Sequence, residues 1–251
     1  KFHRYLLGLD SKYYTICQTL RMKKDLYIFG NGEIAEMAKY YFEIDSEYLV
    51  KAFVVDDEFY DSDHFLGTPL LKWSDVISLA NTSNLNMHVA LSYRNMNSHR
   101  HSVYTRASQT EGVELCSYIS SKSYLARDIK IGANVFLLEG QVIQNQVHIG
   151  NNVMLWSGNH LGHGSRIGES TYLSSHVVIS GHTTIGKRCF FGVNSATRDF
   201  VTIGDDCFIA MSASVLRDIP DSSAVMPFQS PLIEGERAIR IMKKATGGQN
   251  D

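Results

Sequence analysis

Several features are scarce in this sequence of 251 residues, and each shortage excludes a class of protein. No apolar run approaches the roughly 20 residues that a membrane-spanning helix needs, and there is no secretory signal pattern. Neither charge sign is in excess, since 24 basic residues face 26 acidic ones, so neither nucleic acid nor an anionic membrane is an expected partner. The four cysteines, Cys17, Cys116, Cys189 and Cys207, form no close pair, which argues against a disulfide framework and for a reducing cytoplasm.

What is present is a six-residue repeat that begins at Ile131 and runs through the second half of the chain. Every sixth position is apolar except Thr197, and the pair Ile-Gly recurs every 18 residues. Three six-residue units in each 18-residue coil are typical of a triangular parallel β-helix, in which residue i lies above residue i+18. We expect the sixth residues to fill the axis, and Cys189 and Cys207 to stack inside it. We also expect the Ile-Gly glycines to take corner backbone angles that other residues resist.

The first half of the chain opens with a strand, a glycine turn and a helix, in the segment DLYIFGNGEIAEMAKYYF. The turn has the pattern G-x-G-x-x-A and contains Gly30, Asn31, Gly32 and Glu33. Glycines at a helix N-terminus let a phosphate approach the backbone closely. The segment therefore predicts a small nucleotide-binding domain, and the alternative is a tight turn whose glycines are purely structural.

Two acids and a serine follow strands of the same domain. Asp56 and Asp57 come after a strand expected at 48–55, where a carboxylate can hold a ribose hydroxyl or a base edge. Ser92 follows a strand signal at 87–91, at the edge where an open parallel sheet presents its ligand-binding loops. These three side chains are candidates for binding a nucleotide-linked substrate.

The patterns divide the chain into four segments. A Rossmann-like domain at 22–120 ends with a strand signal at 113–119, and the β-helix follows at 121–231. Residues 1–21 are expected to be a leader or extension, because MKKDLYIFG reads as a natural beginning. A tail at 232–251, with the short helical pattern ERAIRIMKK, is expected to pack on the body of the protein or to fray.

From Met22 to about Pro220 the sequence resembles the sugar-nucleotide acyltransferases of the left-handed β-helix class, including the bacillosamine- and sialic-acid-pathway acetyltransferases. The motifs that carry the resemblance are IFGNGEIAE, FVVDD, GNHLGHGSRIG, SSHVVISGHTTIG, CFFGVNSA and VLRDIP. The resemblance implies an α/β half domain followed by a left-handed β-helix of hexapeptide repeats. It also implies a homotrimer that binds acetyl-CoA in the groove between neighbouring β-helices. The handedness comes from the resemblance alone, because left-handed crossovers are exceptional among parallel sheets.

The same resemblance assigns the general base to His163, four residues before Ile167-Gly168. Imidazole titrates near neutral pH, so it suits the removal of a proton from an attacking amino or hydroxyl group. The substrate itself is then the nucleophile, and the tetrahedral oxyanion needs a donor such as a backbone N–H. His160 is expected to line the same pocket.

Binding residues are implied by the resemblance at two places. The sugar nucleotide is expected to contact the glycine turn together with Asp56 and Asp57. The coenzyme is expected to contact Tyr172, His182, Val193 and Met211. Tyr172 stands where relatives can carry a histidine that contacts acetyl-CoA.

Besides Tyr172, two further departures from the family pattern affect the site. Relatives place a carboxylate directly after the catalytic histidine, where this sequence has Gly164. Another group must then orient the ring of His163, and the candidates are Asn145 one coil earlier, His160 or a neighbouring subunit. The second departure is MPFQSP at 226–231, which replaces the usual glycine-containing turn near the coenzyme.

The favoured reaction is N-acetylation of a nucleotide-linked amino sugar for surface polysaccharide or glycan assembly. Its rivals are O-acetylation of a sugar, a catalytically degenerate trimer that binds nucleotide sugars, and an NAD-linked oxidoreductase suggested by the glycine turn alone. Zinc catalysis needs three protein ligands and an open position. Some trimeric β-helix proteins bind zinc between subunits through two histidines five residues apart and a third far upstream. His160 and His163 are three apart, so no metal site is predicted.

Overall fold

The computed structural model describes residues 23–228 and Arg240, which form an α/β domain followed by a parallel β-helix. The expected leader at 1–21 lies outside the described residues, as does the expected tail at 232–251 apart from Arg240. Among the residues described, no helix is long and apolar enough to cross a membrane.

A six-stranded sheet with three helices makes up the α/β domain. The strands are β1 (Lys24–Phe29), β2 (Tyr48–Val55), β3 (His64–Phe65), β4 (Thr68–Lys72), β5 (Leu85–Val89) and β6 (Val113–Leu115). Their order is β3-β4-β2-β1-β5-β6, and all neighbours are parallel except β3 and β4. The helices are α1 (Glu33–Asp45), α2 (Trp73–Ala80) and α3 (Ser98–Ser108), and a 3-10 turn spans Asp57–Phe59. The buried face of α1 begins with Ala35 and Ala38, whose small side chains let the helix lie close to the sheet.

The strand expected at 113–119 is two strands. β6 ends at Leu115, and Tyr118–Ile119 is the first strand of the β-helix. The backbone N–H of Cys116 still donates to Met87 of β5 at 2.7 Å, whereas that of Tyr118 donates to Val135 in the next coil at 2.8 Å. The hydrogen-bond partner changes between these residues, and the change divides the strand.

Three faces of short parallel strands form the β-helix. The first face consists of Tyr118–Ile119, Phe136–Leu137, Met154–Leu155, Tyr172–Leu173, Phe190–Phe191, Phe208–Ile209 and Ala224–Val225. The second face consists of Tyr124–Leu125, Val142–Ile143, His160–Leu161, Val178–Ile179, Ala196–Thr197 and Ser214–Val215. The third face consists of Lys130–Ile131, His148–Ile149, Arg166–Ile167, Thr184–Ile185 and Thr202–Ile203.

The interior of the β-helix follows the predicted period. Every sixth side chain from Leu137 to Val215 is buried, including Thr197. The Thr197 hydroxyl is satisfied inside the core, because it accepts the backbone N–H of Ser180 at 3.0 Å. Cys189 and Cys207 are buried free thiols in this core, as predicted, and burial raises the pKa of Cys189 to about 12.

The expectation for the corner glycines is wrong. None of the Ile-Gly glycines has a positive φ; the left-handed angle falls instead on every sixth residue from Asn134 to Ser212, and only Gly140, Gly158 and Gly164 among these are glycine. The Ile-Gly glycines are required for a different reason, which is the close approach of the next coil. A Cβ at Gly168, for example, would lie 2.2 Å from the carbonyl oxygen of Gly186.

A buried arginine joins the two domains. Arg100 of α3 donates to the backbone carbonyls of Asn152 and Ser170 (2.8 Å for Ser170) and to the side chain of Asn97 at 2.9 Å. Asn97 donates in turn to the carbonyl of Cys189 at 3.0 Å. Burial lowers the pKa of Arg100 to about 10, so the guanidinium keeps its charge at neutral pH. These bonds fix the α/β domain against successive coils of the β-helix.

Candidate active site

A cleft of about 1330 Å³ lies between the α/β domain and the first face of the β-helix. The α/β side of the cleft includes the predicted binding residues Gly30, Asn31, Gly32, Glu33, Asp56 and Ser92. The β-helix side includes Tyr172, Phe190, Phe208, Val193 and Met211. The cleft therefore brings together most of the residues predicted for the sugar nucleotide and three of those predicted for the coenzyme.

The two glycines of the turn have different roles. Gly30 has a φ of +130°, and a Cβ there would lie 2.7 Å from the carbonyl oxygen of Ala90, so the fold itself requires glycine. At Gly32 a Cβ would meet nothing within 4 Å, and its φ of −116° suits any residue. Gly32 is the N-cap of α1, and no side chain caps that helix. The open space over Gly32, beside the first N–H groups of the helix, is where a phosphate can approach.

The two acids after β2 are already engaged within the domain. Asp56 pairs with Arg106 of α3 at 2.5 Å, and it lines the cleft. Asp57 accepts the backbone N–H of Ser74 at 3.1 Å, and this hydrogen bond holds the pKa of the Asp57 carboxyl below its usual range. Asp57 does not line the cleft and instead holds the first turn of α2, so its binding of substrate stays a prediction.

Stacked aromatic rings form the β-helix wall of the cleft. Tyr172, Phe190 and Phe208 occupy equivalent positions in successive coils, and their ring centroids are 5.4 and 5.3 Å apart. Tyr93, from the loop after β5, lies against Phe190 at 4.8 Å. Burial raises the pKa of Tyr172, so its hydroxyl stays neutral at physiological pH. Tyr172 is therefore part of a packed, mostly apolar wall.

His163 lies at the edge of the second face that is farther from the cleft. We call this edge, where the second face turns into the third, the histidine corner; its residues are 144–147, 162–165, 180–183 and 198–201. The ring of His163 covers Gly181 of the next coil, where a Cβ would lie 2.7 Å from the ring Cε1. The side-chain oxygen of Gln144 lies 3.2 Å from Nδ1 of His163 and 2.9 Å from its backbone nitrogen. Gln144, and not Asn145 or His160, therefore orients the ring within the chain.

Two further rings complete the histidine corner. His182 meets His163 edge to face, with centroids 4.8 Å apart, and stacks on Phe200 at 4.9 Å. The ring of His182 covers Gly164, where a Cβ would lie 2.6 Å from Nδ1 of His182. A side chain at position 164 would therefore displace the ring of His182.

The structure separates the predicted histidines from the cleft. His160 is half-buried on the second face, in register between Val142 and Val178. His160, His163 and His182 do not line the cleft, which ends at the corner carrying Val193 and Met211. A single chain therefore places the predicted base at one edge of the second face, whereas the cleft with the predicted sugar-nucleotide residues ends at the other edge. Among the described residues, no group of three or more His, Cys, Asp or Glu side chains could hold a metal ion.

Sequence reasoning missed three parts of this arrangement, although each had a signal. Gln144 lies 18 residues before Gly162, so the coil register places it directly beside the backbone that precedes His163. Gly181 lies 18 residues after His163, which predicts that the two stack. The aromatic wall recurs at the same interval in Tyr172, Phe190 and Phe208.

Two family models of hexapeptide repeats match parts of the β-helix. The family model "Bacterial transferase hexapeptide (six repeats)" matches residues 146–181, and "Hexapeptide repeat of succinyl-transferase" matches residues 182–217. A search of curated proteins finds no match.

Solved structures share this fold over about four fifths of the chain. PerB from Caulobacter crescentus, solved with CoA and GDP-perosamine, is 23% identical with a TM-score of 0.71, over 80% of this chain and 93% of that one. The acetyltransferase domain of PglB from Neisseria gonorrhoeae, solved with acetyl coenzyme A, is 19% identical with a TM-score of 0.69, over 82% and 100%. WeeI from Acinetobacter baumannii is 16% identical with a TM-score of 0.52, over 80% and 96%. These likenesses confirm the predicted α/β half domain and left-handed β-helix of hexapeptide repeats.

Proposed function

We propose that the chain transfers the acetyl group of acetyl-CoA to an amino group of a nucleotide-linked sugar, with His163 as general base. The observation that carries the proposal is the placement of a glycine-turn cleft and an oriented histidine on the two edges of one β-helix face. The ligands of the solved proteins with this fold, CoA with GDP-perosamine in one and acetyl coenzyme A in another, support the choice of substrates.

A homotrimer completes the site. The second face carries an exposed apolar strip that includes Tyr124, Val142 and Val178, the first of them 66% exposed. When three triangular β-helices turn this face toward a common axis, the corner with Val193 and Met211 of one copy meets the histidine corner of the next. Acetyl-CoA lies in the groove between neighbours, with its thioester at His163 and the rest of the coenzyme along His182, Val193 and Met211.

The cleft holds the sugar nucleotide. The pyrophosphate lies over Gly32 at the N-terminus of α1, where no side chain blocks it. Asp56 lines the cleft, and its ion pair with Arg106 fixes the orientation of the carboxylate. Ser92 lies at the same edge, and the aromatic wall of Tyr172, Phe190 and Phe208 offers a flat surface on which a base or sugar ring can pack.

Proton transfer goes through Nε2 of His163. The sugar amine attacks the thioester carbonyl carbon and gives its proton to Nε2. The tetrahedral intermediate collapses with cleavage of the C–S bond, and the CoA sulfur takes the proton from the imidazolium. The products are an acetamido sugar and free CoA, with no covalent enzyme intermediate. The acetamido sugar serves surface polysaccharide or glycan assembly, and the predicted location is the cytoplasm.

The backbone N–H of Gly181 is the donor for the oxyanion. Gly181 lies directly beneath the ring of His163, and its N–H donates to no other residue in the described range. A donor beside the base is required because the negative charge develops on the thioester oxygen during attack.

An amine acceptor fits this base better than a hydroxyl does. The side chain that orients His163 is a neutral amide and adds no negative charge beside the ring. A neutral amine needs less help from a base than a hydroxyl, so the arrangement favours N-acetylation over O-acetylation.

Mass spectrometry of products tests the proposal. The full chain is mixed with acetyl-CoA and a panel of UDP-, dTDP- and GDP-linked 3- and 4-amino sugars. We expect one amino sugar to gain a single acetyl group, and His163→Ala to lower the rate about 100-fold to 10,000-fold. His160→Ala is the matched control and should keep most of the activity. Acetylation of hydroxyl sugars alone would replace the N-acetyl assignment, and no transfer with tight nucleotide-sugar binding would favour a degenerate trimer. The molar mass of the protein, measured by light scattering after size-exclusion chromatography, tests the trimer.

A further inference from the structure

Gln144 has an unusual position relative to His163. It belongs to the preceding coil, yet its side-chain oxygen faces two nitrogens of one residue, the backbone nitrogen at 2.9 Å and ring Nδ1 at 3.2 Å. The backbone of Gln144 is itself fixed, because its N–H donates to the carbonyl of Leu161 at 3.0 Å. The amide therefore approaches the ring from a rigid coil.

The two contacts determine the protonation of the ring. A backbone N–H can only donate, so the side-chain atom of Gln144 that faces it is the amide oxygen. The same oxygen then accepts from Nδ1, which must carry a proton. In a neutral imidazole only one nitrogen is protonated, and Nε2 is left with a free lone pair.

We propose that Gln144 is a positioning residue that holds His163 in the Nδ1–H tautomer, so that Nε2 is the atom that accepts the substrate proton. The catalytic consequence rests on the proposed function, whereas the tautomer rests on the contacts alone. Gln144 takes the place of a carboxylate next to the histidine, which the ring of His182 over Gly164 leaves no room for. A neutral amide oxygen can also accept the Nδ1–H, and it adds no charge beside the ring.

The surroundings of the ring leave this role to Gln144. The other titratable or charged side chains on the histidine corner are His182, Arg198 and Asp199. His182 touches the ring with its edge, and no ion pair forms with His163 among the residues described. Asn145, one residue on from Gln144, is exposed and makes no side-chain bond to the ring.

Nitrogen-15 NMR of the full chain with labelled histidine tests the tautomer without any substrate. The His163 signals are assigned by their loss in His163→Ala. We expect a protonated Nδ1 and an unprotonated Nε2 at neutral pH, and a mixture of tautomers in Gln144→Ala. Asn145→Ala is the matched control and should keep the wild-type pattern. A protonated Nε2 in the wild type, or an unchanged pattern in Gln144→Ala, would overturn the assignment.

Kinetics of acetyl transfer test the consequence. We expect Gln144→Ala to lower kcat about tenfold or more with little change in KM, because the ring loses its orientation but the binding cleft is untouched. Gln144→Glu should keep the tautomer and move the acidic limb of the kcat/KM profile to higher pH, because a carboxylate favours the protonated ring. An unchanged kcat in Gln144→Ala would refute the positioning role. A fixed tautomer in a protein that transfers no acetyl group would instead refute the proposed function and leave the contact intact.

Discussion

The α/β domain and the β-helix hold their candidate functional groups by different physical means. In the α/β domain the site is a shape of the backbone, an uncapped helix N-terminus with open space over Gly32. Its acidic side chains are bound to other parts of the domain, Asp56 to Arg106 and Asp57 to Ser74. In the β-helix the site is a side chain, His163, held by groups one coil before and one coil after it.

The difference concerns what each site depends on. The helix N-terminus needs the absence of a side chain at one position, and most changes around it leave the N–H groups in place. His163 depends on contacts that the coil register supplies, with Gln144 on one side and Gly181 on the other. A change at Gln144, one coil before His163, should therefore affect the reaction, although Gln144 touches neither substrate.

The largest effect on stability should come from removing the contacts of Arg100 between the α/β domain and the β-helix. Arg100→Leu removes the charged donor shared by the carbonyls of Asn152 and Ser170 and leaves those carbonyls without it. We expect the free energy of unfolding to fall by about 3 kcal/mol or more, because bonds from a charged group are strong and buried acceptors are left unpaired. Denaturant unfolding of the full chain measures this.

Arg166→Leu is the matched control for Arg100→Leu. Arg166 is exposed on the third face and forms no ion pair among the residues described, so the change should stay within about 0.5 kcal/mol. Equal losses in both variants would show that the domains are not joined through Arg100.

A smaller effect, on rate alone, is expected from Gly181→Ala. The new Cβ would lie 2.7 Å from Cε1 of His163, and the backbone angles at 181 suit any residue. The ring must move while the fold stays, so we expect kcat to fall about 100-fold with unchanged thermal stability. Gly140→Ala, whose Cβ would make ordinary contacts at 3.6 Å, is the control and should keep its kcat, with only the loss of stability that a φ of +73° causes for a residue with a side chain. Normal turnover in Gly181→Ala would mean that the observed position of the ring is not the one that reacts.

The coils and the core of the β-helix could be predicted from the sequence because one six-residue repeat corresponds to one side of each coil. Side chains six residues apart point in the same direction relative to the axis of the β-helix. Because the recurring side chains are apolar, that direction is inward, and the side chains at every sixth position from Leu137 to Val215 are buried. The orienting group was missed by one residue. The register places Asn145 next to His163 in the preceding coil, but the side chain of Asn145 is exposed to solvent, whereas that of Gln144 contacts the ring.

The α/β site could be predicted in position but not in its pairing. Strand ends placed Asp56 and Ser92 at the edge of the sheet, and both line the cleft. The partner of Asp56 is Arg106, which lies on α3, and no repeat links the two positions. The hydrogen bond of Asp57 could not be predicted for a similar reason, because its partner Ser74 lies in the first turn of a helix that shares no pattern with β2.

The smallest effect is expected at the glycine turn, where substitution of Gly32 should lower nucleotide affinity and substitution of Gly30 should lower stability. Gly32→Ala places a methyl group in the space where the pyrophosphate is expected, with no contact inside the protein. We expect the fold to be unchanged and the affinity for a nucleoside diphosphate, measured by calorimetry with UDP, dTDP or GDP, to fall about tenfold, or 1.4 kcal/mol. Gly30→Ala should behave in the opposite way, with a loss of stability, because its Cβ would press on the Ala90 carbonyl at 2.7 Å. If Gly32→Ala binds as tightly as the wild type, the turn is structural at both glycines, and the nucleotide must be held by the aromatic wall instead.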